Sequence, residues 1–225
     1  MNQPSRPKKT YDAARTKEII LDAAEKIFAE LGYSAARIDA IAQSSGYNKS
    51  LIYQYFQDKL GLYTEVVKRA DQFGDRMLLE LTGELMTDPA LTEDAGKFRL
   101  YLETIVRGSF QFLLDHPLFL KIYAWEAAEG WKTWNQISYR PDDITVFYEL
   151  AKKAKRNGLL RADLDPYFFP IFLMYNVLSS IQSISRFQGA PDGQALEPFS
   201  VSWAEHAKDQ VVNFIVSGVM EPSLL

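Results

Sequence analysis

Apolar residues recur along this chain at spacings of three and four, and β-branched runs with the period of two that marks a half-buried strand are missing. The pattern predicts helices throughout. Ile20, Ala24, Ile27, Phe28 and Leu31 share one face of a first helix over Thr16–Leu31, with Gly32 placed to stop it. Two short helices are expected over Ile38–Ser44 and Lys49–Phe56, separated by Gly46. Asp58 can cap a longer one through Leu62, Val66 and Ala70 towards residue 83. The polar, Pro-containing tract MTDPALTEDAG marks a break over 86–96. Further helices are expected over Glu93–Asp115, Pro117–Glu129, Asp142–Arg156, Asp165–Phe187 and Pro198–Val216. Pro170 predicts a kink or a late start in the fourth of these. EGWKTWNQISYRPDD reads as an aromatic-rich loop.

Helices of about two turns cannot stand alone, so those at 38–44 and 49–56 must lean on the first. Ile38, Ile41, Ala42, Ile52 and Phe56 form an inward set facing Ile27, Phe28 and Leu31. That is the pattern of a helix-turn-helix, whose third helix offers its remaining face to the major groove. Here that face carries Lys49, Ser50, Leu51, Gln54 and Tyr55, and Asn48 is a good N-cap. A helix N-terminus and a lysine favour phosphate, and glutamine can read adenine bidentately. For Leu51 two readings stay open, packing against a neighbouring helix or contact with a thymine methyl.

Charge sharpens this picture. The net charge is −4, yet residues 1–70 hold 11 Lys/Arg against 8 Asp/Glu, while residues 71–225 hold 14 against 21. Such asymmetry fits a nucleic-acid-binding end joined to a different second part. The 225-residue length and 47% hydrophobic content allow a substantial core. Cysteine is absent, which excludes disulfides and thiolate metal sites and fits a reducing cytoplasm. YFFPIFLMYNVL is too short to span a membrane, and the basic start lacks the apolar run of a signal peptide.

The stretch GYSAARIDAIAQSSGYNKSLIYQYFQDKLGLY, residues 32–63, resembles the DNA-binding signature of TetR/AcrR-family transcriptional regulators. The resemblance rests on Gly32-Tyr33, Ile41-Ala42, Gly46, Tyr53, Phe56, Lys59 and Leu62, and covers about residues 15–65. It implies that Lys49, Tyr53, Tyr55 and Lys59 meet phosphates or sugars, with positions 49–51 and 54 near base edges. Departures are visible. Ala36 and Arg37 stand where the family usually has Thr or Ser; Arg37 could take over a phosphate contact but cannot cap. Tyr47 replaces a small aliphatic residue and Tyr55 a common His. The basic arm RPKKTYDAARTK either tracks the DNA or is a solvated tail.

Aromatic residues crowd the second part, and most must be core. A subset, Phe112, His116, Tyr123, Trp125, Trp134, Tyr148, Phe172 and Tyr175 with Asn176, could line a site for an apolar ligand, to which Gln111 and Glu126 could add polar groups. Enzyme chemistry finds little support. His116 and His206 are the two histidines, no nucleotide loop or His-Glu-x-x-His is present, and Leu113 and Trp203 stand where a Glu-x-x-His metal site needs Glu. No catalytic residue, cofactor or metal is therefore expected.

The expected architecture is all-α with about nine helices: an N-terminal arm (1–14), a helix-turn-helix domain (15–63) and a regulatory and dimerisation domain (64–225). The expected function is a cytoplasmic repressor that binds a palindromic double-stranded operator as a homodimer through its last two helices, and is released by a small, largely apolar ligand. The alternatives are a helical ligand-binding or metabolic protein whose helix-turn-helix serves protein contacts, and a DNA-binding regulator without a small-molecule effector.

Overall fold

The structure, a computed structural model, describes residues 13–137, 141–183 and 200–225. Its helices are α1 (Ala13–Ala35), α2 (Ile38–Ser45), α3 (Lys49–Phe56), α4 (Lys59–Met86), α5 (Ala95–Asp115), α6 (Pro117–Ala128), α7 (Trp134–Ile137), α8 (Pro141–Arg156), α9 (Phe169–Ser183) and α10 (Val201–Val219). Among the described residues no strand forms, and β pairing is an isolated antiparallel bridge between Leu160 and Met220. The fold is all-α, as the periodicity predicts. The chain divides into two compact units, Met1–Asp71 with Lys121–Ser138, and Gln72–Leu120 with Tyr139–Leu225.

In the first unit, the inner faces of α1 to α3 and the start of α4 bury Ile20, Ala24, Phe28, Ile41, Ile52, Phe56, Leu62, Tyr63, Val66 and Val67. The Phe28 and Tyr63 rings meet edge to face at 4.9 Å. The predicted inward set holds for Ile38, Ile41, Ile52, Phe56 and Phe28, but Leu31 is 46% exposed and Ile27 and Ala42 are only half-buried. Periodicity tells which face of α1 is apolar; it does not tell how far along that face the covering helices reach. Gly32, at φ 72° and ψ 171°, interrupts α1 as expected, although a last turn resumes to Ala35. Arg69 on α4 ties back to α1, 2.6 Å from Asp22 and 3.6 Å from Glu25.

The later part of this unit is organised by Glu126, a carboxylate only 1% exposed. It accepts a hydrogen bond from the Tyr63 hydroxyl at 2.8 Å and from the backbone N–H groups of Thr133 and Trp134 at 3.1 and 2.9 Å. The last two donors open α7, so Glu126 caps a helix that begins eight residues later. This corrects the loop reading of residues 129–143, which contains α7 and, from Pro141, the start of α8. A cap supplied from the preceding helix leaves no local signal of the usual kind. Trp125, next to it, donates its indole N–H to the Ala29 carbonyl at 3.1 Å, and its ring atoms lie 3.0–3.1 Å from where a Cβ at Gly32 would stand.

In the second unit, α5 is central and packs against α9 and α10. Phe98, Tyr101, Leu102, Ile105, Val106 and Phe110 of α5 are buried with Phe169, Leu173 and Val177 of α9 and Val212, Ile215 and Val216 of α10. The predicted break holds a short 3₁₀ turn, Pro89–Thr92, and Asp94 caps α5 through the Lys97 N–H at 2.8 Å. Pro170 produces a late start: a 3₁₀ turn over Pro166–Phe168 precedes α9, and the proline falls in its first turn, where no N–H is needed. The predicted extension of this helix to Phe187 and the start of the next at Pro198 lie outside the described residues, as does most of the N-terminal arm. Lys208, 7% exposed, is satisfied by Gln111 Oε1 at 2.6 Å and Glu205 at 2.8 Å.

Burial, then the bond to Glu126, raises the Tyr63 pKa above the ordinary tyrosine value, and burial alone raises that of Tyr101. These phenols stay protonated when folded but ionise near pH ~10 when unfolded. Their contribution to stability is therefore complete below that pH and is lost as pH rises through and beyond it. Absorbance titration of the folded protein should show fewer than all twelve tyrosines ionising before it unfolds. Glu126→Ala, which strands three donors, should cost about 3 kcal/mol, and Tyr63→Phe less, both read from urea midpoints.

Candidate nucleic-acid interface

Eight residues make α3 about 12 Å long, near the width of the major groove. Such a helix needs its ends supplied from outside. Gly46, left-handed at φ 75°, closes α2 by donating its N–H to the Ala42 carbonyl at 3.0 Å. Tyr47 then fixes the turn to α1, its hydroxyl accepting from the buried Thr16 Oγ1 at 3.4 Å. A small aliphatic side chain could not make that bond. Asn48 caps α3 by accepting from the Leu51 N–H at 2.9 Å, as its sequence position predicts. At the far end Gln57 takes the unusual φ of 67°, and Asp58 receives the Gly61 N–H at 2.7 Å. Any Cβ at Gly61 would collide with the Phe56 carbonyl oxygen, so only glycine permits this sharp passage from α3 into α4.

With Ile52 and Phe56 buried, the opposite side of α3 is left to solvent. Lys49, Ser50, Tyr53 and Gln54 are exposed, while Leu51 and Tyr55 are half-buried. Leu51 is thus partly packed and partly available. Arg37 is exposed at the N-cap of α2 in extended conformation, without a side-chain capping bond, as expected for an arginine in that place. Lys59 is held differently from the other predicted contacts. Its ammonium donates to the Ser34 carbonyl at 3.2 Å and lies 4.6 Å from the Tyr33 ring centre, and burial lowers its pKa.

The nine residues singled out for an apolar ligand are shared between the two units. Phe112 and His116 join Phe73 and Phe119 in one cluster of the second unit, with His116 4.6 Å from Phe73 and 4.7 Å from Phe112 between ring centres. Tyr123 and Trp134 belong instead to the first unit, where with Trp131 they form three mutually edge-on contacts of 4.6 to 5.9 Å. Trp125 serves the α1 contact described above. Tyr148 lies under the Lys152 ammonium at 5.0 Å, Phe172 stacks on Phe168, Tyr175 is exposed, and the Asn176 amide donates to the Phe172 carbonyl. A separate open groove of about 410 Å³ is lined by Met86, Thr87, Leu91, Thr145, Val146 and Leu150 among others, and by none of the nine. Among the described residues no cluster of His, Asp and Glu suited to a metal is present, and no helix is long and apolar enough to cross a membrane.

Of the residues that shape the interface, sequence reasoning missed Tyr47 as a tether, Gly61 as a close approach and Asp39, whose carboxylate Oδ1 lies 2.5 Å from the Lys49 ammonium. An acidic residue ten positions before a lysine carries no helical-periodicity signal, because the intervening turn decides whether they meet.

Known proteins share this arrangement. Residues 20–66 match a family described as bacterial regulatory proteins, tetR family. The HTH-type transcriptional repressor BepR of Brucella suis is 39% identical over 160 residues, covering 68% of this chain and 72% of that protein. Among solved structures, a transcriptional regulator of Streptomyces coelicolor, SCO4942, superposes with a TM-score of 0.65 at 21% identity, over 92% of this chain and 99% of the other. The regulator FadR of Bacillus subtilis, solved in complex with stearoyl-CoA, gives 0.63 at 17% identity, over 89% and 98%. The BepR relationship extends well past the helix-turn-helix, and with the match at residues 20–66 it establishes that the chain belongs to the tetR family of bacterial regulatory proteins.

Proposed function

We propose that the protein is a cytoplasmic transcriptional repressor that binds a palindromic operator as a homodimer and releases it when a small, largely apolar ligand binds. The observation that carries this reading is the outer side of α3: a capped helix, anchored by Ile52 and Phe56, with Lys49, Ser50, Tyr53 and Gln54 turned to solvent. Phosphate contacts from Lys49, Tyr53, Tyr55 and Arg37 would set its register, and Gln54 with Ser50 and Leu51 would meet base edges. One such helix makes few base contacts, so specificity calls for two half-sites about one helical turn apart, read by a symmetric pair. The repressor name of the Brucella relative favours repression over activation.

Support for dimerisation through α9 and α10 comes from apolar side chains that a single chain leaves in water. Phe214 is 67% exposed, with Phe172, Met174, Tyr175 and Val201 exposed as well. A self-complementary patch of this kind suits a twofold axis. Support for an apolar effector is the cluster of Phe73, Phe112 and Phe119 around His116, an aromatic surface with one polar group, and the acyl-CoA complex of the Bacillus neighbour. Complete release would require the ligand to favour the DNA-incompetent state by about 10⁴-fold.

Selection of duplexes from a random pool by the purified, unliganded protein should enrich a palindrome, and failure to enrich one at modest salt sinks the reading. Arg37→Ala should weaken binding to every sequence and lower the salt slope by about 0.9 per subunit. It is a cleaner probe of phosphate contact than Lys59→Ala, which also removes the Ser34 and Tyr33 contacts. Gln54→Ala should relax the preference at one base pair of each half-site by about 1–3 kcal/mol; equal loss on selected and random DNA would reject its reading role. Phe214→Glu should shift the protein towards monomer in sedimentation velocity and lower operator affinity with it.

A further inference from the structure

The ion pair between Lys49 and Asp39 joins the first turn of α3 to the first turn of α2. Stability does not explain it. Both side chains are largely in water, 49% and 69% exposed, where such pairs contribute little to folding. The hydrogen bond that the Lys49 ammonium donates to the Asp39 carboxylate raises the Lys49 pKa, and the cation is held with an acid pressed against it. This carboxylate stands beside the face that, on the DNA-binding reading above, meets phosphates. An acid there opposes phosphate through charge repulsion and also occupies a cation that would otherwise reach one.

We infer that Asp39 is a specificity-determining positioning residue, which holds Lys49 at the edge of the recognition helix and withholds its charge from DNA of indifferent sequence. Non-specific binding is driven by counterion release as cations neutralise phosphates. A paired Lys49 releases no counterion, so the free protein shows duplex DNA a neutral pair in place of a cation. At a cognate site, where base contacts seat α3 fully, Lys49 exchanges Asp39 for a phosphate or a base edge, and the base contacts offset the broken pair. Asp39 thereby weakens binding to random DNA more than binding to the operator, and the discrimination ratio rises.

The test measures fluorescence anisotropy of the full-length protein on a selected palindrome and on a random duplex, each over a series of salt concentrations, for the wild type, Asp39→Asn and Asp39→Glu. Circular dichroism verifies that the variants are folded. Asp39→Asn should tighten random-duplex binding by on the order of fivefold per subunit near 0.1 M salt and steepen its salt slope by about 0.9 per subunit. It should tighten the palindrome less, and Asp39→Glu should restore both wild-type values. Unchanged slope and ratio in Asp39→Asn would overturn the inference, as would weaker binding to the palindrome alone, which would mean that the carboxylate itself touches a base. A wild type that binds neither duplex at any salt would instead remove the DNA-binding reading on which the inference rests.

Discussion

Two helices of eight residues each cannot hold themselves together in water, and this constraint governs the DNA-facing end of the molecule. Their survival depends on one shared apolar seam, Ile41, Ile52 and Phe56 against Phe28 of α1 and Leu62 of α4, all nearly or fully removed from solvent. Committing the inner side of α3 to that seam frees the outer side for polar and aromatic groups whose chemistry is unconstrained by packing. The caps then do what length cannot, with Gly46 closing α2, Asn48 opening α3 and Asp58 opening α4. Recognition chemistry is thus a by-product of where hydrophobic burial places its anchor.

The same economy recurs around Glu126. A buried carboxylate is tolerable only when donors surround it, and here one phenol and two backbone amides meet that need. In return a segment more than sixty residues away in sequence becomes part of the unit that holds α1 to α3. Trp125 adds a second fastening through its indole N–H, and Gly32 leaves room for its ring. Trp125 and Glu126, with the backbone N–H of Trp134, thus help to brace the unit that contains the helix-turn-helix.

Surface charge follows a different logic from the core. The exposed pair of Asp39 and Lys49 adds little to folding, and its position at the mouth of α3 gives it meaning only in relation to a polyanion. Lys59, by contrast, is drawn back onto a carbonyl and a tyrosine ring, so the two lysines of one motif differ in how freely each can meet a phosphate. Identical side chains acquire unequal roles through their neighbours.

Sequence alone determined the helical class, the burial of Ile38, Ile41, Ile52 and Phe56, the capping by Asn48, a kink or late start at Pro170, and the outward direction of Lys49, Ser50 and Gln54 on α3. All of these depend on spacings of three and four or on a cap within three residues, and such local rules are written in order along the chain. Only the tertiary structure decided that Leu31 lies exposed, that Glu126 caps α7, that Phe112 and His116 gather with Phe119 while Tyr123 and Trp134 gather with Trp131, and that Asp39 meets Lys49. Each of those turns on which distant surfaces cover one another, and a one-dimensional period records the direction of a side chain but not the partner that stands before it.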